Sequence, residues 1–207
     1  MHHDALTLDV LNQFNFWDAV PVDGSASYAE IAKTTNLPEQ TVRRFLRMAF
    51  TNFLFAPEGP NSDRVVHTGV SAVMARRPIQ RSLLAHQLED IRPAATVGVE
   101  ALKKWSVGQQ EPPQDTDKTA FVLASDNGRV RNTPLWEFFN NDEAPGRPKG
   151  YRAKRFAEAM QTVGDTVSIG TDIILEAFDW ESLGKATVVD VSGQIRRRIR
   201  LRTEPPC

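Results

Sequence analysis

The stretch at residues 27–50, SYAEIAKTTNLPEQTVRRFLRMAF, decides the fold of the first part of this 207-residue chain. Ser27 can cap a helix, and Glu30 three residues later completes the capping-box pattern. Asn36-Leu37-Pro38 predicts a tight turn, with the proline suited to open the next helix. Apolar residues then recur at the spacing of one helix face: Val42, Phe45, Leu46, Ala49 and Phe50. Two short helices joined by a turn are therefore predicted.

The residues on either side of this stretch extend the pattern. Before it, a single helix is predicted over 4–20, capped by Asp4 and ended by Pro21. Its apolar side is formed by Leu6, Val10, Leu11, Phe14 and Trp17. After it, two strands are predicted at 53–55 and 64–67, around a turn at 57–62. Helix, turn, helix and hairpin in this order are typical of a winged helix-turn-helix.

The second half of the chain alternates between helical patterns and loops. A helical pattern over 79–105 is interrupted near Pro93, and a polar loop follows at 108–118. Further along, the sequence predicts an aromatic cluster at 136–139, a loop at 140–150, helices at 151–164 and 168–178, and a buried strand at 187–191.

Composition narrows the class of protein. Hydrophobic residues make up 41% and charged residues 25%, a balance typical of a globular protein. The net charge of −1 favours neither nucleic acid nor membrane as a partner. No apolar run approaches the roughly 20 residues needed to span a bilayer, and the N-terminus lacks the pattern of a signal peptide. With Cys207 as the one cysteine, these features predict a cytoplasmic protein.

Three stretches resemble the fungal and plant-type SAM-dependent O-methyltransferases of secondary metabolism. They are YAEIA at 28–32 with RRFLR at 43–47, PLWEFF at 134–139 with RFAEAM at 155–160, and FDW at 178–180 leading to ATVVDV at 186–191. The resemblance implies a winged-helix domain that builds a homodimer, or a heterodimer with a related methyltransferase. It also implies a Rossmann-like domain that binds SAM.

The resemblance divides the chain into four parts. Residues 1–106 correspond to the helical, winged-helix dimerisation domain, and 107–150 to a linker with the aromatic segment. Residues 151–191 begin the SAM-dependent methyltransferase domain, and 192–207 form a basic tail expected to be disordered. The predicted fold class is mainly α, with the first strand of an incomplete Rossmann-like domain.

The expected cofactor loop departs from the family pattern. Asp190 matches the acidic end of the first Rossmann strand, and Gly193 is the one glycine where the family carries several. An arginine-rich run follows, which is either a basic arm for nucleic acid or acidic lipid, or sequence read out of the family's frame. The latter is favoured, so the chain is expected to be truncated at the start of the SAM motif. No catalytic residue and no metal ligand can be carried over.

Other residue groups have both a functional and a structural interpretation. Trp136, Phe139, Phe156 and Met160 are candidates for an acceptor pocket, because this region of the family lies near the acceptor, or they are simply core. Arginines 43, 44 and 47 could contact DNA, but a solvated helix face is favoured. Structural roles are also favoured for His67 and His86.

Three functions follow from these observations. The first is SAM-dependent methylation of a phenolic, polyketide-like hydroxyl by descent, with this chain inactive or incomplete. The second is a non-catalytic interaction protein that pairs with itself or with an intact methyltransferase. The third is a methyltransferase-like pericyclase, which has no residue-level support. A small-molecule substrate is implied, whereas nucleic acid and membrane partners are not.

Overall fold

The computed structural model describes residues 2–126, 129–144, 146–166 and 176–185. Contacts divide the chain into one unit at Met1–Thr166 and a second at Val167–Cys207. The first unit begins with α1 (His2–Gln13), α2 (Phe16–Ala19), β1 (Ser25–Ser27), α3 (Tyr28–Thr35), α4 (Glu39–Thr51), β2 (Phe55–Pro57), β3 (Arg64–His67) and α5 (Gly69–Arg76). It continues with α6 (Ile79–Ala85), a π-helix (His86–Ile91), α7 (Arg92–Thr96), α8 (Gly98–Trp105), α9 (Ala120–Leu123), β4 (Ser125–Asp126), β5 (Arg129–Val130), α10 (Leu135–Asn141) and α11 (Tyr151–Thr166).

The two helices expected from residues 27–50 are confirmed. The hydroxyl of Ser27 accepts a hydrogen bond from the backbone N–H of Glu30, and the Glu30 carboxylate accepts one from the N–H of Ser27 at 2.7 Å. This backbone donor, together with the Ser27 hydroxyl, holds the pKa of Glu30 below its ordinary value. Asn36 ends α3 in the left-handed conformation, and Pro38 precedes α4. Local capping signals therefore placed both helices correctly.

The helix N-cap at Ser27 provides a direct test of this local signal. Replacing Ser27 with Ala removes an acceptor for an otherwise unpaired N–H, so the free energy of unfolding should fall by about 1 kcal/mol. Thr34→Ala is the matched control, because the exposed Thr34 hydroxyl bonds only within the same helix. Urea unfolding followed by circular dichroism measures both variants. Equal stability of Ser27→Ala and wild type would show that the cap contributes nothing.

The small sheet contains one strand more than expected. Its order is β1-β3-β2, all antiparallel, with Ala26 opposite Val65 and Ala56 opposite Val66. The strand predicted at 53–55 begins only at Phe55, so that boundary was wrong. Phe53 has a φ of 56° and is 77% exposed, because the N–H groups of Phe53 and Leu54 close the end of α4 on the carbonyls of Phe50 and Ala49.

The single helix predicted over 4–20 was also wrong. The chain leaves the helix after α1, where Asn15 takes a left-handed φ of 53°, and resumes in α2. Asp4 lies inside α1 and accepts a hydrogen bond from Asn52 at 3.1 Å, so it does not begin the helix. The break turns Leu11 and Trp17 into the core and leaves Leu6 and Phe14 exposed.

The core of the first elements is continuous from α1 to β3. Trp17 and Phe55 stack with centroids 5.7 Å apart, and Trp17 Nε1 donates to Asn12 at 3.1 Å. Around them pack the buried apolar side chains Leu11, Phe16, Val20, Ile31, Val42, Leu46, Ala49 and Val65. Helix, turn, helix and hairpin thus share one core. The fold is mainly helical with a small sheet, as predicted, and the winged-helix assignment stays a prediction.

The helical region at 79–105 deviates earlier than expected. A π-helix occupies His86–Ile91, before the proline, and Pro93 lies in the first turn of α7. A second break follows at Val97, before α8. The prediction of an interrupted helical region was therefore correct, but the interruption begins at His86, earlier than the predicted position near Pro93. The π-helix matters below, since it sets the direction of its acidic side chains.

The last elements of the first unit pack on this helical region. Residues 107–118 contain no helix or strand, as expected, whereas α9 and the β4-β5 hairpin were not predicted. The aromatic segment forms α10, and the helix predicted over 151–164 is confirmed as α11. Helix α11 packs along α6, where Ser82 donates to Glu158 at 2.5 Å.

In the second unit, the structure describes residues 176–185. They include a 3₁₀ turn at Glu181–Leu183, with the rings of Phe178 and Trp180 4.9 Å apart. Most of the predicted helix at 168–178, the strand at 187–191 and the tail at 192–207 lie outside the described residues. The four-part division drawn from the sequence stays a prediction. Among the described residues, no helix has the length and apolar character to cross a bilayer.

Candidate functional site: a buried carboxylate beneath an aromatic face

The carboxylate of Asp90 is the centre of the most unusual polar cluster in the first unit. Asp90 lies in the π-helix and is fully buried. Its Oδ1 accepts hydrogen bonds from Arg152 and Arg155, both on α11. Its Oδ2 contacts Arg155 Nε and His86 Nδ1, each at 3.1 Å. One buried carboxylate therefore joins the π-helix to α11 through two guanidinium groups and an imidazole.

Three buried arginines surround Asp90, and further acidic and carbonyl groups pair with them. Arg155 also pairs with Glu89 at 2.5 Å, and Arg152 pairs with Asp142 at 2.6 Å. Arg131 donates to the main-chain carbonyl of Asp90 at 2.8 Å and lies over the ring of Phe121. Buried charges are stable only when they are paired in this way.

The environment of Asp90 determines its protonation state. Burial opposes ionisation, but the hydrogen bond from His86 and the charges of Arg155 and Arg152 outweigh it, so the pKa of Asp90 lies below its ordinary value. Asp90 is therefore a carboxylate at neutral pH. A carboxylate only accepts hydrogen bonds, so the ring nitrogen Nδ1 of His86 must be the donor.

An aromatic face lies next to this cluster and contains three of the four predicted pocket residues. Trp136 on α10 packs against Phe156 on α11 at 5.1 Å and against Phe139 at 6.1 Å, and Phe139 and Phe156 are 6.1 Å apart. Trp136 is 52% exposed and Phe156 is half-buried, whereas Phe139 is fully buried behind them. The three aromatic residues thus form one group in the structure, and Met160 lies on the next helical turn after Phe156.

His86 connects the ionic cluster to the aromatic face. Its ring is 4% exposed and lies edge-on to Phe156 at 5.2 Å and to Phe139 at 5.9 Å. The sequence analysis favoured a structural role for this histidine and did not identify Asp90, four residues further along, as its partner. An Asp and a His at this spacing are a signal that the sequence did contain.

The other residues singled out from the sequence have structural contacts. Arg43 pairs with Glu39 at 2.7 Å and lies over the ring of Tyr28, which supports the solvated-face interpretation. His67 donates from Nε2 to the carbonyl of Val20 and accepts from Ser71, both at 2.9 Å. Burial lowers the pKa of His67 despite its contact with backbone carbonyls.

The predicted cofactor residues Asp190 and Gly193 lie outside the described residues. Within the part of the chain that the structure describes, no three His, Cys, Asp or Glu side chains are arranged to hold a metal. A shallow groove of about 340 Å³ occurs elsewhere, lined by polar and aromatic residues: Lys104, Trp105, Gln109, Glu111, Pro113, Asp115 and Lys118. It contains none of the predicted site residues.

Comparison with known proteins finds O-methyltransferases that are similar to this chain in sequence. The chain is 34% identical over 197 residues to the O-methyltransferase lcsG of Purpureocillium lilacinum, a match that covers 92% of this chain and 41% of that protein. The chain is thus a homologue of curated O-methyltransferases. It is also 31% identical over 183 residues to the O-methyltransferase aunD of Aspergillus niger, covering 88% of this chain and 39% of aunD. The chain thus spans about two-fifths of these relatives' length, and no family model matches it.

Solved structures support the same fold. The structure of OxaC in complex with sinefungin and meleagrin matches with a TM-score of 0.63 at 16% identity, over 86% of this chain and 40% of OxaC. A structure described as a pericyclic reaction enzyme matches with a TM-score of 0.55 at 13% identity, over 75% of this chain and 36% of that one. At these identities the likeness concerns the fold alone.

Proposed function

We propose that the protein takes part in SAM-dependent O-methylation of a phenolic, polyketide-like hydroxyl, and that α10 and α11 supply the surface on which the aromatic acceptor lies. The observation that carries the proposal is Trp136, which is 52% exposed although it packs edge-on against Phe156 at 5.1 Å. A large ring held by its neighbours and open on one side suits stacking with a flat aromatic ligand. Sequence similarity to curated O-methyltransferases supports the reaction type.

SAM is the proposed methyl donor. Asp190 and Gly193 are the residues of this chain proposed to approach it, because Asp190 stands at the end of the predicted strand at 187–191 and Gly193 follows it. The described residues contribute orientation: they would hold the acceptor ring so that its hydroxyl meets the methyl group, which lowers the entropic part of the barrier. This chain by itself is proposed to lack efficient methyl transfer, because a single glycine before an arginine run makes a poor cofactor loop.

A non-catalytic pairing role is the second candidate. It is supported by large apolar side chains left exposed in the first elements, namely Leu6 at 46%, Phe14 at 43% and Phe53 at 77%. Association with a second copy, or with a related methyltransferase, would remove such side chains from water. A pericyclase role has weaker support. The chain resembles that enzyme in fold alone, at 13% sequence identity, whereas it matches the methyltransferases in sequence.

Binding of a simple phenol to the 207-residue chain tests the acceptor surface. We expect 1-naphthol to bind, measured by isothermal titration calorimetry, and Trp136→Ala to weaken this binding about tenfold because one stacking partner is lost. Trp105→Ala is the matched control, since Trp105 lies at the end of α8 and contacts none of the predicted pocket rings. Its affinity should match wild type within about twofold.

Two outcomes would overturn the acceptor surface: no binding of 1-naphthol to wild type, or equal weakening by the Trp136 and Trp105 variants. If naphthol binding is absent while sedimentation shows a dimer, the pairing role replaces the first candidate. Thermal unfolding of each variant establishes that the fold is intact before affinities are compared.

A further inference from the structure

We propose that His86 recognises the hydroxyl of the acceptor, with its Nε2 accepting a hydrogen bond from a phenol that lies on the aromatic face of Trp136 and Phe156. This inference rests on the proposed function and names the group that would distinguish a hydroxylated ligand from its methyl ether. Three structural observations carry it: the orientation of the imidazole, the state of its second nitrogen and the rings that flank it.

The orientation of the His86 imidazole is fixed by its hydrogen bond to Asp90. Nδ1 of His86 donates to Asp90 Oδ2 at 3.1 Å, and Asp90 is itself held by Arg152 and Arg155. All three partners are buried, so the ring cannot turn without breaking the ionic cluster. With Nδ1 as the donor to Asp90, the corresponding neutral tautomer of the ring has its lone pair on Nε2. A carboxylate behind an imidazole fixes the tautomer in the same way at many functional histidines.

The second nitrogen is unused. Within the described residues, Nε2 of His86 makes no hydrogen bond, and yet it is not among the buried polar atoms that lack a partner. At least a small part of that atom is therefore open to solvent, although the residue as a whole is only 4% exposed. A structural histidine in this chain looks different, because His67 has both ring nitrogens paired.

The surroundings of the His86 imidazole are aromatic. The His86 ring lies edge-on to Phe156 and Phe139, and Trp136 continues the same group of rings from Phe156. A ligand that reaches Nε2 must therefore lie against apolar ring surface. The site therefore favours a flat aromatic molecule that carries a hydroxyl donor at its edge. A molecule with only acceptors at that edge would leave the Nε2 lone pair without a hydrogen bond.

Comparing 1-naphthol with 1-methoxynaphthalene tests this assignment, because the methyl ether keeps the rings and loses the donor. We expect wild type to bind 1-naphthol about tenfold more tightly, although the ether is the more apolar molecule. His86→Phe should keep the affinity for 1-methoxynaphthalene within about twofold and lose the preference for the phenol. His67→Gln is the control histidine variant and should keep the preference.

The outcomes separate this inference from the proposed function. If neither ligand binds, or if Trp136→Ala does not weaken both, the acceptor surface itself is wrong. If both bind through Trp136 but wild type shows no preference for 1-naphthol, the assignment of His86 alone is overturned. The comparison of 1-naphthol with 1-methoxynaphthalene needs only the wild-type chain, so it tests the assignment of His86 even if His86→Phe does not fold. A preference that persists in a folded His86→Phe variant overturns it as well.

Discussion

Asp90→Asn is expected to lower the free energy of unfolding by about 3–5 kcal/mol, the range for breaking a buried ion pair by removing one partner. The carboxylate is fully buried and accepts from Arg152, Arg155 and His86. An amide of the same shape leaves two guanidinium groups in the interior with one negative charge fewer. Because whole domains are stable by only about 5–15 kcal/mol, this loss is a large fraction of the total.

Urea unfolding measures the loss, and Asp23→Asn is the matched control. Asp23 also pairs with an arginine, Arg76 at 3.1 Å, but the two side chains are 91% and 62% exposed. An exposed pair contributes about 0–1 kcal/mol, so Asp23→Asn should be close to wild type. A loss as small in Asp90→Asn as in Asp23→Asn would contradict the structural role of the cluster.

The same carboxylate makes a prediction about pH. Because the pKa of Asp90 is lower in the folded chain than in the unfolded one, its contribution is fully present above the unfolded value of about 3.9. The contribution is lost as pH falls below that value toward the folded pKa. The stability difference between wild type and Asp90→Asn should therefore be constant from pH 5 to 7 and narrow in acid, roughly below pH 4.

Trp17→Ala is expected to cost about 3–5 kcal/mol, the range for truncating a large aromatic side chain in a packed core. Trp17 is fully buried, stacks on Phe55 at 5.7 Å and donates from Nε1 to Asn12. The ring lies where α2 meets the sheet, so its loss leaves a cavity that rigid neighbours cannot fill. Circular dichroism during urea unfolding measures the change.

Trp136→Ala is the matched control for this variant, because Trp136 is 52% exposed and its removal opens a surface indentation instead of a cavity. Its cost should be about 1 kcal/mol, well below that of Trp17→Ala. Similar losses in the two variants would mean that Trp17 does not anchor the core as described. The same Trp136 variant is used in the binding experiment, so its stability is measured in any case.

The features that could be predicted from the sequence are those that depend on interactions between residues close together in the chain. The capping box of Ser27 and Glu30 and the apolar stripe of α4 are local, and both are present in the structure. Predictions failed where one residue changed the chain's direction: Asn15 breaks the first helix and Phe53 delays β2, each with a positive φ. Such a φ is uncommon outside glycine, so residue type alone did not reveal either turn.

The candidate site likewise has a part that the sequence predicted and a part that it missed. Trp136, Phe139 and Phe156 were predicted to lie together, and their rings are 5.1–6.1 Å apart. Asp90 and its two arginines were missed, although the Asp90–His86 spacing was visible. Arg152 and Arg155 are 62 and 65 residues from Asp90, and nothing in their local sequence indicates that they are buried.

By itself, the sequence indicated the resemblance to O-methyltransferases, the mainly helical class and the residues of the aromatic segment, because these depend on local propensity and on residue identity. Only the tertiary structure decided which charges are buried and which ring nitrogen is open. That decision depends on α11 packing against α6 and the π-helix, where two arginines meet the buried carboxylate of Asp90. A buried charge is tolerated only beside its partner, so its place follows from the assembled fold and not from its own segment.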